Sequence, residues 1–208
     1  MARKTSRDTR GRIIAAAWQL FYEQGYEETT IDEIVEESGT SKGSFYHYFR
    51  SKDDLLGTLS DLFDRKYEEL EPEIADIESC YDKLIVLNRE LFTMIENSIS
   101  QDLLARLLGS QLLTRGEKYL LDRNRYYYKL LRKICIAGQD SGEFTDSMSV
   151  NEMVKLYAVL ERAFLYDWCI CNGEYSLRSY GTANMSEFLR RFLGNNQLNE
   201  RRLCIIII

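Results

Sequence analysis

Residues 29–56 read TTIDEIVEESGTSKGSFYHYFRSKDDLL, and their punctuation decides the fold. Thr30-Ile-Asp-Glu33 is a capping box, in which the threonine hydroxyl accepts from the N3 amide and the Glu33 carboxylate reaches back to the cap N–H. Ile31, Ile34 and Val35 supply a short apolar face, and this helix ends before Gly39. Gly39-Thr40-Ser41 is a tight turn whose last residues can cap the next helix, running from Lys42 to Phe49. At about 100° per residue, Phe45 and Phe49 point one way with Tyr48 beside them, so that side packs inward. The opposite side presents Gly43 and His47, flanked by Ser44 and Tyr46. It is rich in donors and free of negative charge. Lys42 lies nearer the core edge, with a stem long enough to carry its ammonium to a phosphate. Ser51-Lys-Asp-Asp54 reads as a second capping box opening a fourth helix, with Lys52 at its exposed positive end.

Working outward, Ile13, Ala17, Leu20 and Phe21 recur at helical spacing between Thr9 and Gln24, and Gly25 supplies a left-handed stop. Two short helices joined by a glycine-containing turn, the second aromatic inside and polar outside, follow the helix-turn-helix plan. A three-helix cap with a merely solvated polar face would carry the same pattern. The formal net charge of -6 argues against nucleic acid, but its distribution argues for it. Arg3, Lys4, Arg7, Arg10 and Arg12 crowd the first twelve residues, and Lys42, Arg50 and Lys52 gather again beyond an acidic stretch from Glu23 to Glu37. Screening keeps such fields local, so cations brought together by folding can still hold phosphate.

The 29–56 stretch, preceded by AAWQLFYEQGYEE at 16–28, closely resembles the N-terminal domain of the TetR family. The resemblance spans the first helix to the start of the fourth, about a quarter of the chain. It implies that Thr30 and Thr40 cap helices and touch phosphate, that Lys42, Gly43 and Ser44 meet the groove, and that Tyr46, His47 and Lys52 grip the backbone. With Ser41 at the turn, these form the expected DNA-facing set. His47 is the chain's only histidine. A lone histidine is commonly a satisfied structural residue, but here it projects from the polar face of the reading helix. No histidine then remains for a nucleophilic or zinc site.

The expected fold is all-α: a helix-turn-helix head over residues 1–52 and a larger helical body, for ligand binding and dimerisation, over 53–208. The fourth helix should run from Ser51 to about Leu70, with Pro72 ending it and opening the next. Helical periodicity continues over Tyr81–Asn97, Asp102–Leu113, Glu117–Gly138, Asn151–Asn172 and Asn184–Leu193. The segment from Met153 carries two apolar stripes. Met153, Tyr157, Leu160, Phe164 and Trp168 form one, and Leu156, Val159, Ala163, Tyr166 and Ile170 the other. Either the helix is central to one subunit, or one stripe meets a second copy. The last helix adds Met185, Phe188, Leu189, Phe192 and Leu193. In the TetR family the final two long helices pair between subunits, which implies a homodimer through Met153, Tyr157, Leu160, Phe164, Phe188 and Phe192.

The family's bodies commonly bind a small-molecule effector. Tyr126-Tyr-Tyr128 cannot place three rings on one face, and Tyr81, Phe92 and Trp168 are further aromatic candidates, yet no residue is singled out as ligand-binding. Five cysteines at irregular spacing do not form a disulfide framework, Cys169 and Cys171 lack the second half of a metal site, and no metal or cofactor is expected. Cys204-Ile-Ile-Ile-Ile has one residue too many for a prenylation box and has no assigned role. No signal peptide or membrane span is expected, which places the protein in the cytoplasm. The function expected is a sequence-specific regulator, a dimeric repressor on a palindromic site in double-stranded DNA, released by an effector. The alternatives are a ligand-independent regulator answering to a protein partner, and an enzyme or helical binding module with a relic head.

Overall fold

The computed structural model describes residues 2–113 and 118–194, with side chains from Thr9 onward. The cationic side chains of Arg3, Lys4 and Arg7 and the Cys204–Ile208 tail lie outside the described residues. Regular structure among the described residues is helical, apart from one isolated antiparallel bridge between Phe144 and Leu193. The elements are α1 (Ala2–Glu23), α2 (Ile31–Glu37), α3 (Lys42–Tyr48), α4 (Lys52–Leu56), α5 (Thr58–Glu73), α6 (Cys80–Ser98), α7 (Gln101–Leu113), α8 (Tyr126–Asp140), α9 (Val150–Ile170) and α10 (Thr182–Leu189). The chain divides into two compact units, one of Met1–Leu62 with Asp102–Leu120, the other of Phe63–Gln101 with Leu121–Ile208.

The first unit extends beyond the expected 52/53 boundary because α4 and the first turn of α5 bury Leu55, Leu56 and Leu59, each at most 1% exposed. The Trp18 indole N–H ties α1 to the start of α5 by donating to Thr58 Oγ1 at 2.9 Å. The single fourth helix expected from Ser51 to Leu70 is broken at Gly57. There the Thr58 and Ser60 hydroxyls each donate to a carbonyl three residues back, Leu55 O and Gly57 O, at 2.6 Å. Such side-chain bonds compete with the regular helical ladder. Pro72 does not open a new helix but sits inside the last turn of α5, which continues to Glu73. At the other end of the head, Gly25 adopts φ +88°, the left-handed geometry that stops α1. On α7, Arg106 bonds Glu27 Oε1 at 2.5 Å and lies 5.0 Å from the centroid of the Tyr26 ring.

In the second unit α6 packs on α8 and α10, and α8 on α9. The N-terminus of α6 is capped twice, by Ser79 and, from far along the chain, by Glu143. Its carboxylate accepts from Ser79 Oγ at 2.6 Å, Cys80 N at 2.6 Å and Tyr81 N at 3.1 Å. The helix expected over Glu117–Gly138 is a 3-10 turn at Tyr119–Leu121 followed by α8. The last helix opens early, on a π-helical turn at Leu177–Gly181, and ends in a 3-10 turn at Arg190–Phe192. At the centre of this unit the Glu161 carboxylate of α9 accepts from Tyr67 OH of α5 at 3.1 Å and Asn88 Nδ2 of α6 at 3.4 Å. No helix of the described residues is long and apolar enough to cross a membrane.

Candidate nucleic-acid interface

The site is built on the α2–α3 turn. The Thr30 capping box forms as read: its hydroxyl accepts from Glu33 N at 3.2 Å, and Glu33 Oε2 accepts from Thr30 N at 2.7 Å. The bonds from Thr30 lower the pKa of Glu33 and keep it ionised at the positive end of α2. After α2, Gly39 turns the chain at φ +59°, and Ser41 caps α3 by accepting from Ser44 N at 3.1 Å. Thr40 is therefore not a cap. It is half-buried, and its hydroxyl bonds Ser38 Oγ at 2.7 Å. Arg12 of α1 fixes the turn, donating from Nη1 to Ser38 O at 3.1 Å and Gly39 O at 3.4 Å. That role was not evident in the sequence, where Arg12 counted only as a cation.

α3 seats Phe45, which is 0% exposed, against the head core with Phe49 beside it, leaving the other side to solvent. Ser41, Lys42, Gly43, Tyr46 and His47 are exposed and share this surface with half-buried Ser44, whose hydroxyl lies 3.0 Å from Ser41 Oγ. The His47 ring stands edge-on to Tyr48, with centroids 4.7 Å apart. A Cβ at Gly43 would meet only Ser41 Oγ, at 3.8 Å, so nothing within the protein demands glycine there.

The cations are placed less simply. Lys42 forms an exposed ion pair with Asp32 at 2.6 Å, and the hydrogen bond and charge of Asp32 hold its ammonium more firmly protonated. Lys52 does not reach outward at all, which corrects the expectation of a phosphate grip. Its ammonium donates to Tyr26 O at 2.6 Å, Thr29 O at 2.8 Å and Glu27 O at 3.3 Å, using all three N–H bonds, and it lies 4.2 Å from the Tyr26 ring centroid. The second capping box is also displaced. Ser51 makes no side-chain cap bond, and Asp54 instead accepts from Arg50 N at 2.8 Å. Arg10 pairs with Asp61 at 3.5 Å, whereas the side chain of Arg50 is exposed with no ion pair among the described residues.

The expected pairing residues divide. Met153, Tyr157 and Phe192 are each 0% exposed and cannot meet a second copy. Tyr157 OH donates to Leu84 O at 3.1 Å, and Phe192 packs edge-on to Phe144. These large side chains fill the protomer's own core. Leu160 and Phe164 are half-buried, Phe164 edge-on to Phe92, and only Phe188 stands open, at 49%. The outward stripe is the other one: Val159 is 44%, Tyr166 50% and Ile170 60% exposed, with Ala163 exposed between them. In the Tyr126–Tyr128 run the rings of Tyr127 and Tyr128 are buried, and Tyr126 OH bonds Glu71. Burial pushes the Cys169 thiol up to about 11 and, with Asp167, raises Cys171.

Residues 13–59 match the family model described as bacterial regulatory proteins, tetR family. The chain is 28% identical, over 93% of its own length and 94% of the relative's, to the HTH-type transcriptional regulator AcrR of Shigella flexneri. It is 29% identical to the HTH-type transcriptional repressor KstR2 of Rhodococcus jostii, over 68% of this chain and 71% of that protein. Among solved structures, the TetR-family repressor FadR of Thermus thermophilus, in complex with lauroyl-CoA, aligns with a TM-score of 0.75 at 23% identity over 89% of this chain and 96% of the other. FadR of Bacillus subtilis in complex with stearoyl-CoA aligns with a TM-score of 0.65 at 21% identity, over 86% and 97%. At such identities the structural likeness establishes the fold.

Proposed function

Because the chain belongs, through its N-terminal domain, to the tetR family of bacterial regulatory proteins and is a DNA-binding transcriptional regulator rather than an enzyme, we propose that it is a repressor. It binds a near-palindromic operator as a homodimer and is released by a small-molecule effector. The observation that carries the DNA-binding role is the outer side of α3. Ser41, Lys42, Gly43, Ser44, Tyr46 and His47 form a donor-rich surface on a helix clamped from behind by Phe45 and Arg12. Gly43 has an open flank, which suits close approach of a groove wall. Thr30 and Thr40 frame this surface, and Arg50, without an ion pair among the described residues, supplies a nearby cation for phosphate. Lys52 supports the surface from inside the head.

The dimer is assigned to the exposed stripe Val159, Ala163, Tyr166 and Ile170 with Phe188, an apolar series left uncovered among the described residues. A two-fold axis there would carry two α3 helices to major grooves about 34–36 Å apart. The effector is assigned to the second unit by analogy with the acyl-CoA complexes of the two FadR proteins. It would act by shifting the population toward a head spacing that no longer fits both half-sites. Such a repressor would work in the cytoplasm. Incubated with fragments of its own genome at about 150 mM salt, the protein should retain a small set of fragments, and a Tyr46→Ala/His47→Ala variant should release them. Equal retention of all fragments, or of the same set by the variant, would refute the assignment to α3.

A further inference from the structure

Between α8 and α9 lies a cleft of about 370 Å³ lined by Arg123, Arg132, Lys155 and Arg162, with Leu121 and Val159 as its exposed apolar lining. The volume falls within the range of small-molecule sites. Glu152 is the one carboxylate in the lining, and it is engaged in capping α9, accepting from Ser149 N at 2.8 Å and Ser149 Oγ at 2.6 Å. Two of the three arginines have neutral hydrogen-bond partners, and Arg162 also acts through its charge on the buried Glu161. Arg162 Nη1 donates to Tyr128 OH at 3.3 Å, and Arg132 Nη1 to Asn151 Oδ1 at 2.5 Å. Among the described residues none of the four cations forms an ion pair.

Such a gathering runs against the composition. With 33 acidic residues to 27 basic, carboxylates are in excess, and pairing would be the default for surface cations. Here like charges converge on a concave surface that also offers apolar area. Guanidinium forks match phosphate oxygens with paired N–H bonds, and an ammonium adds a compact charge beside them. An apolar floor gives an attached hydrocarbon arm somewhere to lie. We propose that this cleft is the anion-binding part of the effector site, holding the phosphate groups of a phosphorylated amphipathic small molecule whose apolar arm lies over Leu121 and Val159. The proposal rests on reading the second unit as effector-binding. Val159 lines the cleft and also belongs to the exposed stripe assigned to dimer pairing, so a ligand here would touch that pairing stripe.

The test uses the full chain and three probes, coenzyme A, inorganic pyrophosphate and laurate, followed by calorimetry, with lauroyl-CoA added to protein–DNA complexes. The variant Arg123→Gln/Arg132→Gln lies on the α8 side and leaves the α9 stripe intact; Arg123→Lys/Arg132→Lys restores the charge. Coenzyme A should bind the wild type, be displaced by pyrophosphate but not by laurate, and lose at least about tenfold in affinity in the glutamine variant. The lysine variant should recover most of that loss, and Arg89→Gln, outside the cleft, should change nothing. Failure of both coenzyme A and pyrophosphate to bind the wild type, or equal binding to the glutamine variant, would overturn the proposal. If lauroyl-CoA releases DNA from wild type and glutamine variant alike, the effector reading survives and the cleft is overturned. If coenzyme A binds in the cleft while lauroyl-CoA leaves DNA bound, the cleft stands and the effector reading falls.

Discussion

Lys42 and Lys52 are ten positions apart in one basic cluster, yet the structure gives them opposite fates. Lys42 sits in an ion pair whose side chains are 62% and 67% exposed, a pair worth little to stability and easily traded for a phosphate. Lys42→Ala should therefore lower the slope of log affinity against log salt by about one, with little change in melting temperature. An unchanged slope in a salt titration would remove Lys42 from the interface. Lys52 is used internally on three carbonyls, so Lys52→Ala should leave the salt slope alone and destabilise the head by about 1–3 kcal/mol, read in urea denaturation. A changed slope at unchanged stability would restore the expected phosphate role. The sequence shows that a cation occurs at residue 52. It does not show that the carbonyls of residues 26, 27 and 29 converge there, because that meeting depends on how the chain closes between α1 and α2.

At the level of elements, local signals were legible and distant ones were not. The Thr30 box and the Gly25 and Gly39 stops rest on contacts within four residues and are readable from spacing; the inward direction of Phe45 follows from the helical period, and its burial comes from packing on α1 and α2. The break at Gly57 leaves no trace in the sequence because a helical pattern of apolar residues runs straight through it. The Ser51 box does not form because Asp54 accepts from the Arg50 N–H instead. The cap on α6 could not be seen at all, since Glu143 arrives from more than sixty positions away. Anions and hydrogen-bond acceptors at a helix N-terminus stabilise it through its orphan donors and its dipole. Glu143→Ala should thus cost about 1–2 kcal/mol in thermal or urea unfolding. A neutral effect would mean that Ser79 suffices as the cap.

Over the whole molecule, sequence periodicity revealed two apolar stripes on α9 but could not rank them, because a core stripe and a pairing stripe obey the same spacing. The ranking came from burial. The larger side chains fill the protomer, and the Val159–Ile170 stripe is left outside. Tyr166→Asp, at the middle of that stripe, should convert a dimer to a folded monomer in light scattering, whereas a persistent dimer would place the interface elsewhere. The buried carboxyl of Glu161 sets a pH dependence on the second unit, since burial raises its pKa above the ordinary carboxyl value. The folded state then binds more protons than the unfolded one in that window, so the contribution of this group is fully present below the ordinary carboxyl range and is lost as pH rises through the raised value. Glu161→Gln, which cannot ionise, should raise the melting temperature at pH 8 by a few degrees and much less at pH 4; an equal shift at both would separate Glu161 from the pH effect. The central claim is that the outer side of α3 reads DNA sequence. Selection of bound duplexes from a random pool, with wild type and the Tyr46→Ala/His47→Ala variant side by side, tests it most directly. The wild type alone should enrich a near-palindromic site. Enrichment of the same site by the variant, or of none by a folded, dimeric wild type, would contradict it.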